Sequence, residues 1–315
     1  MTNDIKRMIT ILTPCFNEVD NVEELVDAII NIGKKIPDIK MKHLFIDNAS
    51  TDGTVKKLRT LSDQYDHIQV ILNNRNYGHI RSPMHGLFQS EGDAVVVMAS
   101  DFQDPPELII EFVNKWIQGH KVVIGIKEGS DESIFFSLIR NFYYNLINRL
   151  SNTPLIKNFT GFGLYDREVI ETLRSLNDPY PYFRGLISEL GFETVKINFR
   201  QPKRERGFTK NNFYTLSDMA FLGITNHSKI PLRLATFSGF VLSLLSFLVG
   251  ITYFIYKLMF WDRFELGIAP LVIGIFFFAA VQLFFIGLIG EYIGSIHTQV
   301  LRRPLVVEKE RINFD

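Results

Sequence analysis

The chain has 315 residues, with 34 lysines and arginines against 34 aspartates and glutamates, and one cysteine. That length allows two domains, the balanced charge gives no field of the kind that gathers nucleic acid, and a lone Cys15 excludes an internal disulfide or a multi-cysteine zinc site. The seven histidines are scattered, with no pair at helical metal-ligand spacing. Met1–Arg7 is polar and runs directly into an apolar segment, so no amino-terminal signal peptide is expected and the amino-terminal half is expected in the cytoplasm.

Met8–Thr13 reads as a first strand, followed by Pro14-Cys-Phe16-Asn17-Glu18. Asp20 with Glu23 has the spacing of a capping box, opening a helix that Gly33 would end. Lys42–Ile46 is a second strand, running into Asp47-Asn48-Ala-Ser50-Thr-Asp52-Gly53 and a helix with Val55 and Leu58. Ile68–Leu72 is a third, ending in Asn73-Asn74-Arg75-Asn76-Tyr77-Gly78. The fourth is the apolar run Val95–Met98, which breaks into Asp101-Phe-Gln103-Asp104-Pro-Pro-Glu107. Asp104 suits an N-cap and Pro105 a first helical position, ahead of a stripe formed by Leu108, Ile109, Phe112, Val113, Trp116 and Ile117. Lys121–Ile126 is a fifth strand. Strand and helix alternate as right-handed βαβ units do, which predicts an α/β fold with a mostly parallel sheet.

The polar clusters Asn17/Glu18, Asp47/Asn48, Arg75/Asn76 and Asp101/Gln103 all follow the carboxyl end of a predicted strand. Taken singly, each is ordinary turn chemistry. Four in succession, each after a buried strand, point to a site on one edge of the sheet, where open α/β sheets bind ligands. The carboxylate and amide oxygens suit a hard cation, Mg²⁺ or Mn²⁺, able to hold a diphosphate.

Lys127–Ser133 is a charged loop, either a surface loop or a mobile lid, and Ile134–Leu150 is helical, carrying Arg140 and Arg149. Asn158–Leu164 places two glycines among aromatics, a pattern of close backbone approach to a ligand. Arg200–Lys210 sets Arg200, Lys203, Arg204, Arg206 and Lys210 against Glu205. An amphipathic segment follows (Phe213, Leu216, Ala220, Ile224), so phosphate or headgroup binding is expected there.

Leu234–Tyr256 and Leu266–Gly290 contain no charged residue, and each exceeds the roughly 20 residues that cross a bilayer core. Joined by the Lys257–Glu265 linker, they predict a transmembrane hairpin. Lys229, Arg233, Arg302 and Arg303 flank it, whereas Lys257 and Arg263 in the linker are offset by Asp262 and Glu265. The cationic excess predicts an integral protein of the cytoplasmic membrane with both termini cytoplasmic. Glu291 is expected near the interface. The expected division is a catalytic domain over 1–210, a juxtamembrane segment over 211–230, two spans within 231–295 and a cytoplasmic tail over 296–315.

These motifs resemble the family 2 glycosyltransferases of GT-A fold, and within them the polyprenyl-phosphate sugar transferases related to dolichyl-phosphate mannose synthase and the bactoprenol glucosyltransferases. Thr13–Glu18 resembles the family's opening loop, Asp47–Thr54 its second motif, Asp101–Glu107 its metal motif and Arg204–Lys210 its later basic motif. Gly290-Glu291-Tyr292-Ile-Gly294, followed by Arg303-Pro304, matches the exit of the second span, so the resemblance covers nearly the whole chain. It implies transfer of a sugar, with inversion, from a UDP- or GDP-linked donor to a polyprenyl phosphate such as undecaprenyl phosphate. Pro14, Phe16, Glu18, Asp47 and Asn76 would hold the donor's nucleoside. Asp101 and Gln103 would bind Mg²⁺ or Mn²⁺ on the diphosphate. Arg204, Thr209 and Lys210 would meet the acceptor phosphate, so that Asp101, Arg204 and Lys210 form the catalytic set. A homo-oligomer is compatible with the aromatic-rich helices around Phe142–Tyr144 and Phe213–Phe221.

The chain departs from the family pattern at three places. The metal motif usually has an aspartate where Ala99 stands, the second motif usually has one at Asn48, and the acidic Asp-x-Gly-Asp-Phe stretch corresponds to Asn158–Phe162. Neither Trp116 nor Trp261 is preceded by the Gln-x-x-Arg of processive polysaccharide synthases. Two other readings stay open on sequence: direct transfer to a glycan or protein, and a non-catalytic membrane scaffold built on a degenerate transferase domain.

Overall fold

The computed structural model describes residues 7–128, 156–202, 230–260 and 268–314. Four strands alternate with four helices: β1 (Met8–Cys15), α1 (Val22–Lys35), β2 (Lys40–Asp47), α2 (Thr54–Gln64), β3 (Ile68–Asn73), α3 (Gly78–Gln89), β4 (Ala94–Val97) and α4 (Leu108–Ile117). There follow β5 (Val122–Lys127), β6 (Phe159–Asp166), α5 (Arg167–Ser175), α6 (Phe183–Glu189) and β7 (Thr194–Phe199). Two long helices, α7 (Ile230–Met259) and α8 (Ile268–Leu301), precede a last strand, β8 (Glu308–Ile312).

The strands form one sheet in the order β7-β5-β6-β4-β1-β2-β3-β8. Only β6 and β8 run against the other strands, so the sheet is mostly parallel as predicted. Its central strands are apolar on both faces because both are covered. Ile9, Ile11 and Phe45 meet α1, α2 and α4 on one face, while Leu12, Leu44 and Ile46 meet α3, α5 and α6 on the other.

Several local readings are corrected. Asp20 and Glu23 form no capping box: α1 starts at Val22 behind Asn21, without a side-chain cap, and runs two residues past Gly33. Asp104 does not cap α4, which starts at Leu108. Instead its buried carboxylate accepts the Ala99 N–H at 2.9 Å, closing the loop on itself. The glycine-rich Asn158–Leu164 stretch is largely strand β6, inserted between β4 and β5. A Cβ on Gly163 would stand 2.6 Å from the Val123 carbonyl, so the close approach there is to a neighbouring strand.

The stretch from 296 to 315 is not simply a tail. Helix α8 continues to Leu301, and β8 then pairs antiparallel with β3 (Val70 with Ile312, Leu72 with Glu310). Arg59 forms a two-pronged ion pair with Glu310, with 2.7 Å between Nη1 and Oε1. Asn313 Nδ2 donates to the Ser62 and Ile68 carbonyls at 2.7 and 3.0 Å. The strand's sequence gave no hint of this pairing, because its cohesion lies in backbone bonds and ion pairs with residues more than 200 positions away.

Within α7 and α8, Leu232–Thr252 and Gly274–Leu301 are long and apolar enough to cross a membrane. Spans of 21 and 28 residues reach about 31 and 42 Å at 1.5 Å per residue, against a hydrocarbon core of about 30 Å. The second ends well beyond the expected Gly290. Because β8 rejoins the sheet, the chain leaves and returns to one domain. The end of α8 also touches that domain, Gln299 Nε2 donating to Asp178 Oδ1 at 2.8 Å.

Candidate active site

Strands β3, β2, β1 and β4 are adjacent and parallel, so the four loops that leave their carboxyl ends share one edge. The structure therefore brings Pro14, Phe16, Glu18, Asp47, Asn76, Asp101 and Gln103 to the same rim. Arg204, Thr209 and Lys210 lie outside the described residues, as do the Ile134–Leu150 helix, the amphipathic segment over 213–224 and Phe142–Tyr144.

The first two loops are bound to each other. The Asn17 N–H donates to Ser50 Oγ at 2.8 Å, the Glu18 N–H to Thr54 Oγ1 at 2.9 Å, and the Thr51 N–H to Asn17 Oδ1 at 2.8 Å. Glu18 is half-buried, its carboxylate accepting from Asn21 Nδ2 at 2.6 Å. Pro14 is the penultimate residue of β1, opposite Ile46, and both it and Phe16 are half-buried.

Asp47 ends β2 almost fully buried. Burial pushes its carboxyl up from the usual range, and the hydroxyl and N–H of Ser50, both donating to it, hold it back. Its neighbour Cys15 is also buried, and burial together with the Asp47 charge pushes that thiol well above its ordinary value, leaving it an inert packing group. Asp52 shows the opposite balance. Burial pushes it up, but the hydroxyl and N–H of Thr54 and the Val19 N–H, all donating to it, together outweigh burial, and the carboxyl stays below the usual range.

The second and third loops are joined through one amide. Asn48 Oδ1 accepts from Asn73 Nδ2 at 3.1 Å and from the Tyr77 N–H at 2.8 Å. Its Nδ2 donates to Asn76 Oδ1 at 2.9 Å and to the Gly78 carbonyl at 3.2 Å. An aspartate could accept the first pair but not donate the second pair, which accounts for the asparagine at a position where the family usually has an acid. Asn76, expected to touch the donor, spends its Oδ1 on Asn48 and on the Gly78 N–H, shaping the loop.

In the fourth loop Asp101 and Gln103 are half-buried, and Asp101 Oδ1 accepts the Gln103 N–H at 3.2 Å. Asp104 behind them is buried, and burial pushes its carboxyl up to about 7, against the Ala99 hydrogen bond and with the Asp101 charge adding to the rise. Ala99, in place of the usual aspartate, contributes its N–H to this internal bond and no ligand. One carboxylate and one amide thus face the rim from this loop. Among the described residues no cluster of three or more His, Cys, Asp or Glu is placed to hold a metal ion. The hard-oxygen pair still fits Mg²⁺ or Mn²⁺, since such ions bind through one or two carboxylates plus substrate phosphates and keep several waters.

Three rim loops each hold one non-glycine residue in left-handed backbone: Asn17 at φ 58, Ala49 at φ 64 and Phe102 at φ 58. Asparagine tolerates that region. Alanine and phenylalanine each cost about 1–2 kcal/mol there. Strain in three adjacent loops marks the rim as a place shaped for something other than stability. Sequence reading missed Ser50, Thr54 and the Asn48–Asn73–Asn76 network as the elements that fix the loops; their Ser, Thr and Asn types were the available signal.

Residues 10–174 match the model of glycosyl transferase family 2, and residues 231–296 match that of the GtrB C-terminal hairpin. A bactoprenol glucosyl transferase of Shigella phage SfII is 31% identical over 308 residues, covering 96% of this chain and 97% of its own length. An uncharacterized glycosyltransferase of Synechocystis sp. is 30% identical over 298 residues, covering 94% and 93%. The mannosyltransferase of Pyrobaculum calidifontis, solved with GDP-Man and Mn²⁺, is similar at 16% identity with a TM-score of 0.46, covering 94% of this chain and 88% of that one. By its matched residues, its near full-length relatives and its α/β sheet, the chain belongs to glycosyl transferase family 2.

Proposed function

We propose that this protein transfers a sugar from a UDP- or GDP-linked donor to a polyprenyl phosphate at the cytoplasmic face of a membrane, with inversion at the anomeric carbon. The observation that carries the reading is the union, in one chain, of a family 2 domain with a membrane-length hairpin whose far end returns to the sheet as β8. A transferase acting directly on a soluble glycan or protein has no need of that hairpin. The near full-length likeness to a bactoprenol glucosyl transferase supports the same acceptor class.

Pro14, Phe16, Glu18, Asp47 and Asn76 are assigned to the donor's base and ribose, with Asp47 presented at the end of β2 by its bonds from Ser50. Asp101 and Gln103 would hold Mg²⁺ or Mn²⁺, which supplies charge neutralisation for the departing nucleoside diphosphate. Arg204, Thr209 and Lys210 are assigned to the acceptor phosphate. A phosphate monoester has a second pKa near 6, so its oxygen is mostly ionised at neutral pH. It attacks the anomeric carbon as the bond from that carbon to the diphosphate oxygen breaks, and no side chain need remove a proton. What the protein must supply is cationic and dipolar groups that let two anions approach. The test is an assay with undecaprenyl phosphate and a panel of UDP- and GDP-sugars, read by product mass. A lipid-linked sugar phosphate is expected with one donor, and no such product with any of them refutes the proposal.

A further inference from the structure

A second cationic group lies where α8 ends. Arg75, in the loop after β3, stacks on Tyr77 with its guanidinium 4.1 Å from the ring centre, and Arg81 on α3 approaches the same ring at 5.2 Å. An Arg81 Nη2 hydrogen bond to the Pro304 carbonyl ties α3 to the chain just past α8. The turn that brings it there is made at Arg302, in left-handed backbone at φ 45. Burial, then the charge of Arg75 and that of Arg303, hold Arg81 below its usual range, while the nearby Tyr77 and Tyr180 act the other way. Among the described residues no carboxylate forms an ion pair with any of these three arginines. Arg81 Nε is buried without a hydrogen-bond partner.

Like charges gathered without a counter-charge, one of them half-buried with an orphaned donor, are unfavourable unless an anion completes them. Guanidinium groups select phosphate oxygens, which they bind through paired donors. The cluster is set at a particular depth: Arg303 follows the Gly274–Leu301 segment by two residues. Tyrosines and arginines are the residues that occupy the headgroup layer.

We propose that Arg75, Arg81 and Arg303 bind the phosphate of an anionic membrane phospholipid, seating the β3 end of the rim on the bilayer beside the end of α8. The inference rests on the reading of α7 and α8 as spans. It adds a lipid site apart in sequence from the acceptor residues Arg204, Thr209 and Lys210. Because Asn76, adjacent to Arg75, is bound to Asn48, a lipid held here also fixes the height of the second and third loops above the membrane.

The test uses the full-length protein in phosphatidylcholine nanodiscs and in detergent micelles titrated with short-chain phosphatidylglycerol, with bound lipid read by native mass spectrometry. R75Q should weaken phosphatidylglycerol about fivefold, and R75Q/R81Q/R303Q on the order of 100-fold, at the roughly 1 kcal/mol that each basic residue contributes at an anionic surface. The charge-matched control K34Q/K35Q/K56Q should leave it unchanged. R75Q alters an exposed side chain, so its result stands even where the triple variant does not fold. Equal binding by wild type and R75Q, or equal losses in R75Q/R81Q/R303Q and the lysine control, overturns the proposal. So does displacement of the bound phosphatidylglycerol by stoichiometric undecaprenyl phosphate, which would make this the acceptor site. A loss of UDP affinity in R75Q with lipid binding intact would reassign the cluster to the donor. A wild-type chain that does not insert into the nanodisc would instead refute the reading of the two spans.

Discussion

Replacing Asn48 with aspartate restores the residue usual in the family, and the structure predicts that it harms this protein. The side chain is buried. An introduced carboxylate keeps the two acceptor bonds, from Asn73 Nδ2 and the Tyr77 N–H, and charge strengthens them. It loses both donor bonds and sets an oxygen against Asn76 Oδ1 and the Gly78 carbonyl. Turning the Asn76 amide over would supply a donor but forfeit its bond from the Gly78 N–H. Two lost bonds at about 1 kcal/mol each, plus about 1–3 kcal/mol for an unsatisfied buried acceptor, are partly offset by the strengthened pair, leaving a deficit of about 2–3 kcal/mol. The measurement is chemical denaturation of the solubilised protein, wild type against N48D, across pH. Its surroundings raise the folded pKa of the new carboxyl, so the penalty is full at neutral pH and shrinks as pH falls through that value towards the unfolded 3.9. A deficit below about 0.5 kcal/mol at pH 7, or one that grows on acidification, would refute the account of Asn48.

Asp101→Ala should abolish sugar transfer while costing about 1 kcal/mol of stability, the order of the bond its carboxylate accepts from the Gln103 N–H; turnover near wild type would show the metal loop misplaced. Arg204→Gln with Lys210→Gln should raise the apparent KM for undecaprenyl phosphate more than that for the nucleotide sugar, and the reverse pattern would exchange their roles. Ending the chain after Pro304 should lower the melting temperature and speed hydrogen exchange at the β3 amides, which then lose β8; unchanged exchange would mean that β8 contributes nothing to the sheet. His43 is buried against Phe45 and bonded to Thr13 Oγ1, and burial lowers its pKa to about 3. An unfolded chain therefore binds a proton below about 6.5 that the fold refuses, so stability falls as pH drops from 6.5 towards 3. Between pH 7 and 5 the wild type should lose about 2 kcal/mol more than His43→Gln, and equal losses would place His43 in contact with water.

The sheet's first five strands were legible because each is an apolar run bounded by turn residues, and the positions of Asp47 and Asp101 followed from strand direction alone. Asp104 was misread for a physical reason: an acid just ahead of prolines and an apolar stripe has the signature of a helix cap, and only burial against the Ala99 N–H distinguishes the two. Strand β7 carries a readable alternation, Val195, Ile197 and Phe199 against Thr194, Lys196 and Asn198, which the basic run after it obscures. Strand β8 carries none, since Glu308-Lys-Glu-Arg-Ile312 is polar and its cohesion comes from Arg59, His85 and the β3 backbone. The left-handed Ala49 and Phe102 were equally hidden, because neither residue type announces that backbone.

The position of β8 also orders the molecule's assembly in time. The ribosome delivers β3 more than 200 residues before the strand that covers its outer edge, and both apolar helices are made in between. Until the last residues emerge, the nascent sheet offers a row of unsatisfied amides and carbonyls, the kind of border along which chains mispair. Synthesis of both apolar helices therefore precedes closure of the sheet, and a chain halted before β8 is left with that border open.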